Sequence, residues 1–294
     1  MIELEYDFPL WRPPSEGENL ILQASLGCSF NGCTFCSMYK TKRFAAKPLE
    51  RLFAEIDQAA RDWPDAHRVF LADGDALVLP TDHLLRILER LALRLPNLAR
   101  VAVYATPVNL WRKSEAELAA LKAHKLSLIY LGIESGSGDI LRRIRKGTTP
   151  QSMAGAIARG RAAGLKISAT VILGLGGRRR WQDHIDETAG LINQAPPHYL
   201  STLQLRLAPE VQARFQEKFG EPFEPQDDAG MLAEQARLIA ALDPPRPIIF
   251  RSNHASNALP LAGTLPKDRP HLLAQLGAAG RGEIRLRPRI VRGL

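Results

Sequence analysis

A chain of 294 residues with 45% hydrophobic and 24% charged residues holds ample apolar material for a core, which excludes a disordered or fibrous protein. The formal net charge of +8 would suit an anionic partner, yet its densest clusters, Arg178-Arg179-Arg180 and Arg281 to Arg292, lack the interleaved aromatics of a base-stacking platform and read as solvated surface rather than an RNA footprint. No apolar run approaches the ~18 residues of a membrane span, and the acidic start Met1-Ile2-Glu3-Leu4-Glu5 is unlike a secretory signal, so a cytoplasmic protein with no membrane partner is expected.

Strand-like and helix-like segments alternate from residue 19 to about 206, the pattern of a parallel sheet built from βα units. Asn19 to Leu26 reads as the first strand, followed by a loop with all three cysteines of the chain, Cys28, Cys33 and Cys36. Pro48 to Trp63 reads as a helix, with proline in its first turn and Leu49, Leu52, Phe53 and Ile56 at helical spacing. Val69 to Ala72 is the second strand, and Thr81 to Leu95 a helix capped by Thr81 or Asp82. Val101 to Tyr104 is the third strand, and the helix after it opens on a capping box, Ser114 with Glu117. Leu128 to Gly132 is the fourth strand, followed by helices near 138–145 and 151–163. Ile167 to Leu173 is the fifth strand, with a helix over about 181–194, and Tyr199 to Leu207 is the sixth. Pro209 to Asp228 reads as a polar connection, Ala229 to Leu242 as a helix, and Ile248-Ile249-Phe250 as a short apolar run. The architecture implied is α/β: a partial (β/α)6 TIM-like barrel over 19–206, with a lead segment 1–18 and a C-terminal extension 207–294 packed on the barrel.

In such folds the chemistry sits at the carboxyl ends of the strands. Polar and glycine-rich residues follow the strands here: the cysteine loop, Asp73-Gly74-Asp75, Thr106-Pro107, Glu134-Ser135-Gly136-Ser137, Gly174-Leu175-Gly176-Gly177 and Arg206. Three cysteines within nine residues, an odd number, do not form a disulfide framework. They can hold one metal centre and leave it one ligand short of four. A zinc site completed by a histidine such as His254, or by water, is the plainer reading of the same thiols.

Together the cysteine loop, the βα series and the glycine turns resemble the radical S-adenosylmethionine superfamily over roughly residues 19–206. The segment from Glu134 through Leu141 to Lys146-Gly147 is similar to the branch of methylthiotransferases and oxygen-independent coproporphyrinogen oxidase, and Pro9 to Pro14 and Phe250 to Asn257 are similar to segments of an uncharacterised subgroup. The resemblance implies that the three cysteines bind a [4Fe–4S] cluster whose fourth iron takes S-adenosylmethionine. Reductive cleavage there gives a 5′-deoxyadenosyl radical that abstracts hydrogen from an unidentified small-molecule substrate. The four-residue gap between Cys28 and Cys33 departs from the commonest family spacing of three, while the last pair keeps its gap of two.

The resemblance also implies roles for other residues. Phe35 would shield the cluster or pack near the adenine, and otherwise serves as a loop anchor. Asp73, Gly74 and Asp75 stand where the family has Gly-Gly-Glu, the turn that binds the amino group of S-adenosylmethionine. Glu134, with Ser135, would read the ribose hydroxyls, and Lys146, or alternatively Arg206, would meet the cofactor's carboxylate. Gly174 would run beside the adenine. Arg251, Asn253, His254 and Asn257 form a polar set that reads either as a substrate wall or as a hydrogen-bonded plug. The implied partners are the substrate and a reductant such as flavodoxin or ferredoxin. With no cysteines for a second cluster, sulfur insertion is not expected, and no catalytic side chain is assigned. A radical RNA-modifying enzyme and a non-catalytic iron- or zinc-binding module are the competing readings.

Overall fold

The computed structural model describes residues 4–293, so Met1-Ile2-Glu3 of the lead segment and Leu294 lie outside the described residues. The strands of the main sheet are β1 (Leu20–Gln23), β2 (Arg68–Ala72), β3 (Arg100–Ala105), β4 (Leu126–Glu134), β5 (Lys166–Leu173), β6 (Tyr199–Gln204), β7 (Ile248–Arg251) and β8 (Ala262–Leu265). The helices are α1 (Leu49–Asp62), α2 (Thr81–Arg94), α3 (Pro107–Arg112), α4 (Glu115–Ala123), α5 (Gly138–Arg143), α6 (Pro150–Ala162), α7 (Gly177–Gln194), α8 (Pro209–Phe219), α9 (Asp228–Ala241) and α10 (Arg269–Gly280). The class is α/β with a mostly parallel sheet, as the alternation predicted. Among the described residues no helix is long and apolar enough to cross a membrane.

The chain gathers into two compact units. One comprises residues up to Asn31, Met38–Leu131 and Ala158–Ile167, the other Gly32–Ser37, Gly132–Ile157 and the residues from Ser168 onward. In the first, β1, β2, β3 and the start of β4 pair in parallel, with Leu20 opposite Val69, Val69 opposite Val101 and Tyr104 opposite Tyr130. These strands are apolar on both faces because the sheet is covered on both sides, and Val69 to Ala72 are wholly buried. Phe70, Tyr104 and Tyr130 meet edge to face. The first strand stops at Gln23. Ser25–Leu26 leaves the sheet to pair with Ala45–Ala46, closing the intervening residues into one loop.

α1 and α2 bury the apolar stripes that their spacing predicted, Leu52 and Ile56 on one, Leu84, Leu88 and Leu91 on the other. Thr81 does not cap α2. Pro80 occupies that position, and the Thr81 hydroxyl donates to Glu117 Oε1 at 2.5 Å. The Ser114–Glu117 capping box is present as read, with Glu117 N donating to Ser114 Oγ at 3.1 Å and Ser114 N to Glu117 Oε2 at 2.7 Å.

In the second unit β5, β6 and β7 are parallel, with Ser168 opposite Tyr199 and Tyr199 opposite Ile249, and β8 adds antiparallel to β7. The polar connection expected after the sixth strand is instead largely the helix α8. Val211, Phe215 and Phe219 recur every fourth residue and are buried, and the two phenylalanines meet Phe223 ring to ring. With Ile140, Leu141, Ile144 and Leu175 they form an apolar cluster.

Candidate cofactor site

Asp73, Gly74 and Asp75 follow β2 directly, and in the first unit they organise the start of the cysteine loop. Asp73 is fully buried, and its Oδ2 accepts from Lys42 Nζ at 3.0 Å, Gly27 N at 3.1 Å and Gln23 Nε2 at 3.3 Å. Its Oδ1 is buried with no hydrogen-bond partner. Burial pushes the Asp73 carboxyl up, and the bonds from Lys42, Gly27 and Gln23 pull it back. The lead segment closes this network: Asp7 N donates to Gln23 Oε1 at 2.8 Å, Gln23 Nε2 to Asp7 O at 2.9 Å, and Lys42 meets Asp7 Oδ1 at 3.2 Å.

Asp75 is engaged differently. Ser29 donates to both its oxygens, through N at 2.7 Å and through Oγ, and Asn109 and Cys28 bond to it as well. Burial raises its carboxyl too, against those bonds. Between the aspartates, a Cβ on Gly74 would lie 2.7 Å from the Cys28 Cβ and 2.8 Å from the Tyr39 ring. Glycine alone lets this turn close on the cysteine loop.

Glu134 ends β4 with φ +63°, a left-handed backbone that turns the chain sharply. In the second unit Lys146 Nζ donates to Glu134 Oε1 at 2.7 Å, and each side chain is 10% exposed. Burial alone would lower Lys146, but Glu134 and then the Cys33 and Cys36 sulfurs raise it above the usual lysine range. The bare face of Gly132 makes the room, since a Cβ there would stand 2.0 Å from Glu134 Oε1. The two residues expected to read different parts of the cofactor are thus ion-paired to each other.

Ser135 belongs to a relay that sequence reasoning missed. His184 Nε2 lies 3.0 Å from Ile172 O, which can only accept, so Nε2 carries the proton and Nδ1 accepts from Ser135 Oγ at 2.8 Å. Burial holds His184 neutral, its pKa pushed down to about 4. Gly136 N donates to Thr188 Oγ1 at 2.7 Å, and Thr188 Oγ1 to His184 O at 2.5 Å. Two residues one turn apart on α7 therefore tie the turn after β4 to β5. The only signal in the sequence is that one-turn spacing of polar residues amid Ile185, Ala189 and Ile192, which are buried on the same helix.

Gly174 follows β5 with φ +86°, and its N donates at 2.6 Å to Glu234 on α9, a second residue that sequence reasoning passed over. Phe35 packs against the apolar cluster of Ile140, Leu141 and Phe215, the contact of a loop anchor, and next to it Thr34 N donates to Ile144 O at 3.0 Å. Arg206 is exposed and donates to Arg292 O at 2.7 Å.

Asn257 is buried and fully engaged. Its Nδ2 donates to Thr202 O at 2.7 Å and Ser252 Oγ at 3.0 Å, and its Oδ1 accepts from Gln204 N at 2.9 Å, the bonding of a plug. His254 Nδ1 lies 2.9 Å from Ser256 Oγ, and burial lowers its pKa. Arg251 and Asn253 are exposed. The arginine triplet is met by carboxylates: Arg178 by Asp227 at 2.7 Å, Arg179 by Glu224 at 2.8 Å, and Arg180 by Glu221 at 2.5 Å.

None of the three cysteines is in a disulfide. Cys28 belongs to the first unit, and Cys33, which is buried, and Cys36 to the second. Among the described residues, no group of three or more His, Cys, Asp or Glu side chains is drawn together closely enough to hold a metal ion.

Residues 22–192, more than half of the chain, match the Radical SAM superfamily. The sequence is 24% identical over 165 residues to a Methanocaldococcus jannaschii protein named as a methylthiotransferase, covering 53% of this chain and 35% of that one. It is 29% identical over 156 residues to an uncharacterized methyltransferase of Pyrococcus horikoshii, covering 52% of this chain and 32% of that one. The match thus spans about a third of the length of each relative. Among solved structures, coproporphyrinogen III oxidase (HemN) of Escherichia coli aligns with TM-score 0.57 at 14% identity, over 76% of this chain and 51% of that one. Methylornithine synthase (PylB) aligns with TM-score 0.56 at 12% identity, over 88% and 69%. At these identities the structural likeness shows the fold class, a partial TIM-like α/β fold. The chain belongs to the Radical SAM superfamily and is an enzyme whose cofactors are a [4Fe–4S] cluster and S-adenosylmethionine.

Proposed function

We propose that Cys28, Cys33 and Cys36 hold the [4Fe–4S] cluster and that the enzyme acts on a small-molecule substrate in the cytoplasm, with a flavodoxin- or ferredoxin-like reductant. One observation carries the reading. A buried carboxylate oxygen without a partner, Asp73 Oδ1, sits on a turn that packs through Gly74 against Cys28. A thiolate set one ligand short of four, beside an unsatisfied acceptor, suits a cofactor that ligates through an amine. When bound and reduced, the cluster supplies the electron that cleaves S-adenosylmethionine to methionine and the 5′-deoxyadenosyl radical, which takes a hydrogen atom from substrate.

The chain's own residues bind and orient. Asp73 accepts from the cofactor's amino group, while Asp75 holds the Ser29 turn beside Cys28. Glu134 accepts from the ribose hydroxyls, held in place by the Lys146 ammonium. Lys146 and Arg206 are the cations available to the cofactor's carboxylate, and Gly174 presents bare backbone to the adenine. Ser135 keeps the turn after Glu134 in place through His184. Phe35, on its apolar cluster, keeps water from the loop. Arg251, Asn253 and His254 face substrate, and Asn257 keeps their loop folded.

The test is anaerobic reconstitution with iron and sulfide, reduction, and assay for 5′-deoxyadenosine. Wild type should form it and Cys36→Ala should not. A wild-type protein with an intact cluster that forms none overturns the proposal.

A further inference from the structure

We infer that Glu234 is a positioning residue of the cofactor site, its carboxylate fixing the turn at Gly174. The inference rests on the functional reading above, in which the adenine lies along that turn. Glu234 stands on α9, beyond the residues 22–192 that match the superfamily, so the C-terminal extension contributes to the cofactor's seat as well as to the sheet.

The geometry is specific. Gly174 N donates to Glu234 Oε2 at 2.6 Å, and Gln226 Nε2 donates to Glu234 Oε1 at 3.0 Å. Gly177 N closes the same turn on Gly174 O at 3.0 Å. Met231, nearly one helical turn before Glu234, covers the glycine, and a Cβ on Gly174 would lie 2.4 Å from its Cε. With φ +86°, the turn is one that only glycine adopts at ease, and α9 grips it through two side chains.

Glu234 is fully buried, and among the described residues no cation pairs with it. Charged groups on α9 and beside it pair elsewhere, Asp227 with Arg178, Asp228 with Arg292 and Arg289, Arg237 with Asp186 of α7, and Asp243 with Arg269 of α10, while Asp183 and Glu187 of α7 are exposed. An apolar side chain would pack this helix face at lower cost than an unneutralised carboxylate. A local function explains its presence. Burial raises its pKa to about 7, resisted by the bonds from Gly174 and Gln226. The folded-state value lies above the unfolded one of 4.5, so stability falls as pH rises from about 4.5 to about 7 and levels off above that. The same ionisation makes the bond to Gly174 charge-assisted and tightens the turn.

Hydrogen exchange over residues 172–178 and equilibrium dialysis of S-adenosylmethionine against reconstituted protein test this with wild type, Glu234→Ala and Glu234→Gln. Glu234→Ala should speed exchange at Gly174 and weaken binding, each about tenfold, as expected for loss of a bond to a charged group. Glu234→Gln keeps an acceptor for Gly174 and should recover most of both. The ratio of wild-type to Glu234→Gln affinity should rise about threefold from pH 6 to pH 8, a comparison in which titration of the cofactor's own amine cancels. Unchanged exchange in Glu234→Ala overturns the inference, as does a Glu234→Gln profile that follows wild type. Should the alanine variant fail to fold, the glutamine comparison decides alone. Faster exchange with unchanged affinity overturns the assignment to the cofactor site. Continued formation of 5′-deoxyadenosine by wild type separates that failure from failure of the functional reading.

Discussion

Gly74 is packed so closely on Cys28 that a Cβ there would stand 2.7 Å from the Cys28 Cβ, with the buried Tyr39 ring at 2.8 Å blocking retreat. Gly74→Ala must therefore push the cysteine-bearing turn away from the end of β2. Iron bound per chain after reconstitution should fall at least about twofold, the response of a tightly packed contact to an added methyl. Gly190→Ala on α7, where an added Cβ meets nothing within 4 Å, is the control and should keep full iron. Wild-type iron content in Gly74→Ala would show that the turn yields without moving the thiol.

The two aspartates flanking Gly74 should fail in different ways. Asp75 holds Ser29 through both oxygens, so Asp75→Ala should lose iron. Asp73 keeps Oδ1 unpartnered, so Asp73→Asn should retain iron and bind S-adenosylmethionine about tenfold more weakly, the scale of one charge-assisted bond. Iron analysis and equilibrium dialysis on the same preparations separate the two. The reverse pattern would exchange their roles.

This division was not legible in the sequence. Asp73-Gly74-Asp75 showed that an acceptor and a bare backbone follow the second strand, but only the fold shows which carboxylate is saturated. Features set by near neighbours were readable: the Ser114–Glu117 box, the apolar stripes of α1 and α2, and the strand order through β6. α8 was hidden because Glu210, Gln212, Arg214 and Glu217 outweigh Val211, Phe215 and Phe219 in composition, although the one-turn spacing of those apolar residues was present. His184 and Glu234 lie on unremarkable amphipathic helices. Each acquires its role only when the turn after another strand is brought to it.

Glu134 and Lys146, which meet at 2.7 Å with little exposure, should show strong energetic coupling. Lys146→Met leaves the Glu134 carboxylate without its cation and should cost about 2–3 kcal/mol of stability in urea unfolding. Glu134→Gln should cost a similar amount. The double variant should lose less than the sum of the two by at least about 1 kcal/mol, since no buried charge is then left alone. Strict additivity would mean that the pair is solvated and does not brace the turn after β4.

His184 gives the fold a dependence on pH whose sign follows from its surroundings. Buried between Ser135 and Ile172 O, it has a folded-state pKa of about 4, against an ordinary value of 6.5. The unfolded chain therefore takes up a proton first as pH falls. The stability contributed by neutral His184 is complete above pH 6.5 and is lost progressively down to about pH 4, a total of about 3 kcal/mol at 1.36 kcal/mol for each tenfold change. Urea unfolding of cluster-free protein at intervals from pH 8 to pH 4 should show this slope in wild type and a flatter one in His184→Gln, whose amide can both donate to Ile172 O and accept from Ser135 without titrating. Equal slopes would mean that His184 takes up its proton as readily in the folded protein as in the unfolded chain. The relay from Ser135 to β5 would then need a different proton arrangement, because a doubly protonated ring cannot accept from the serine hydroxyl.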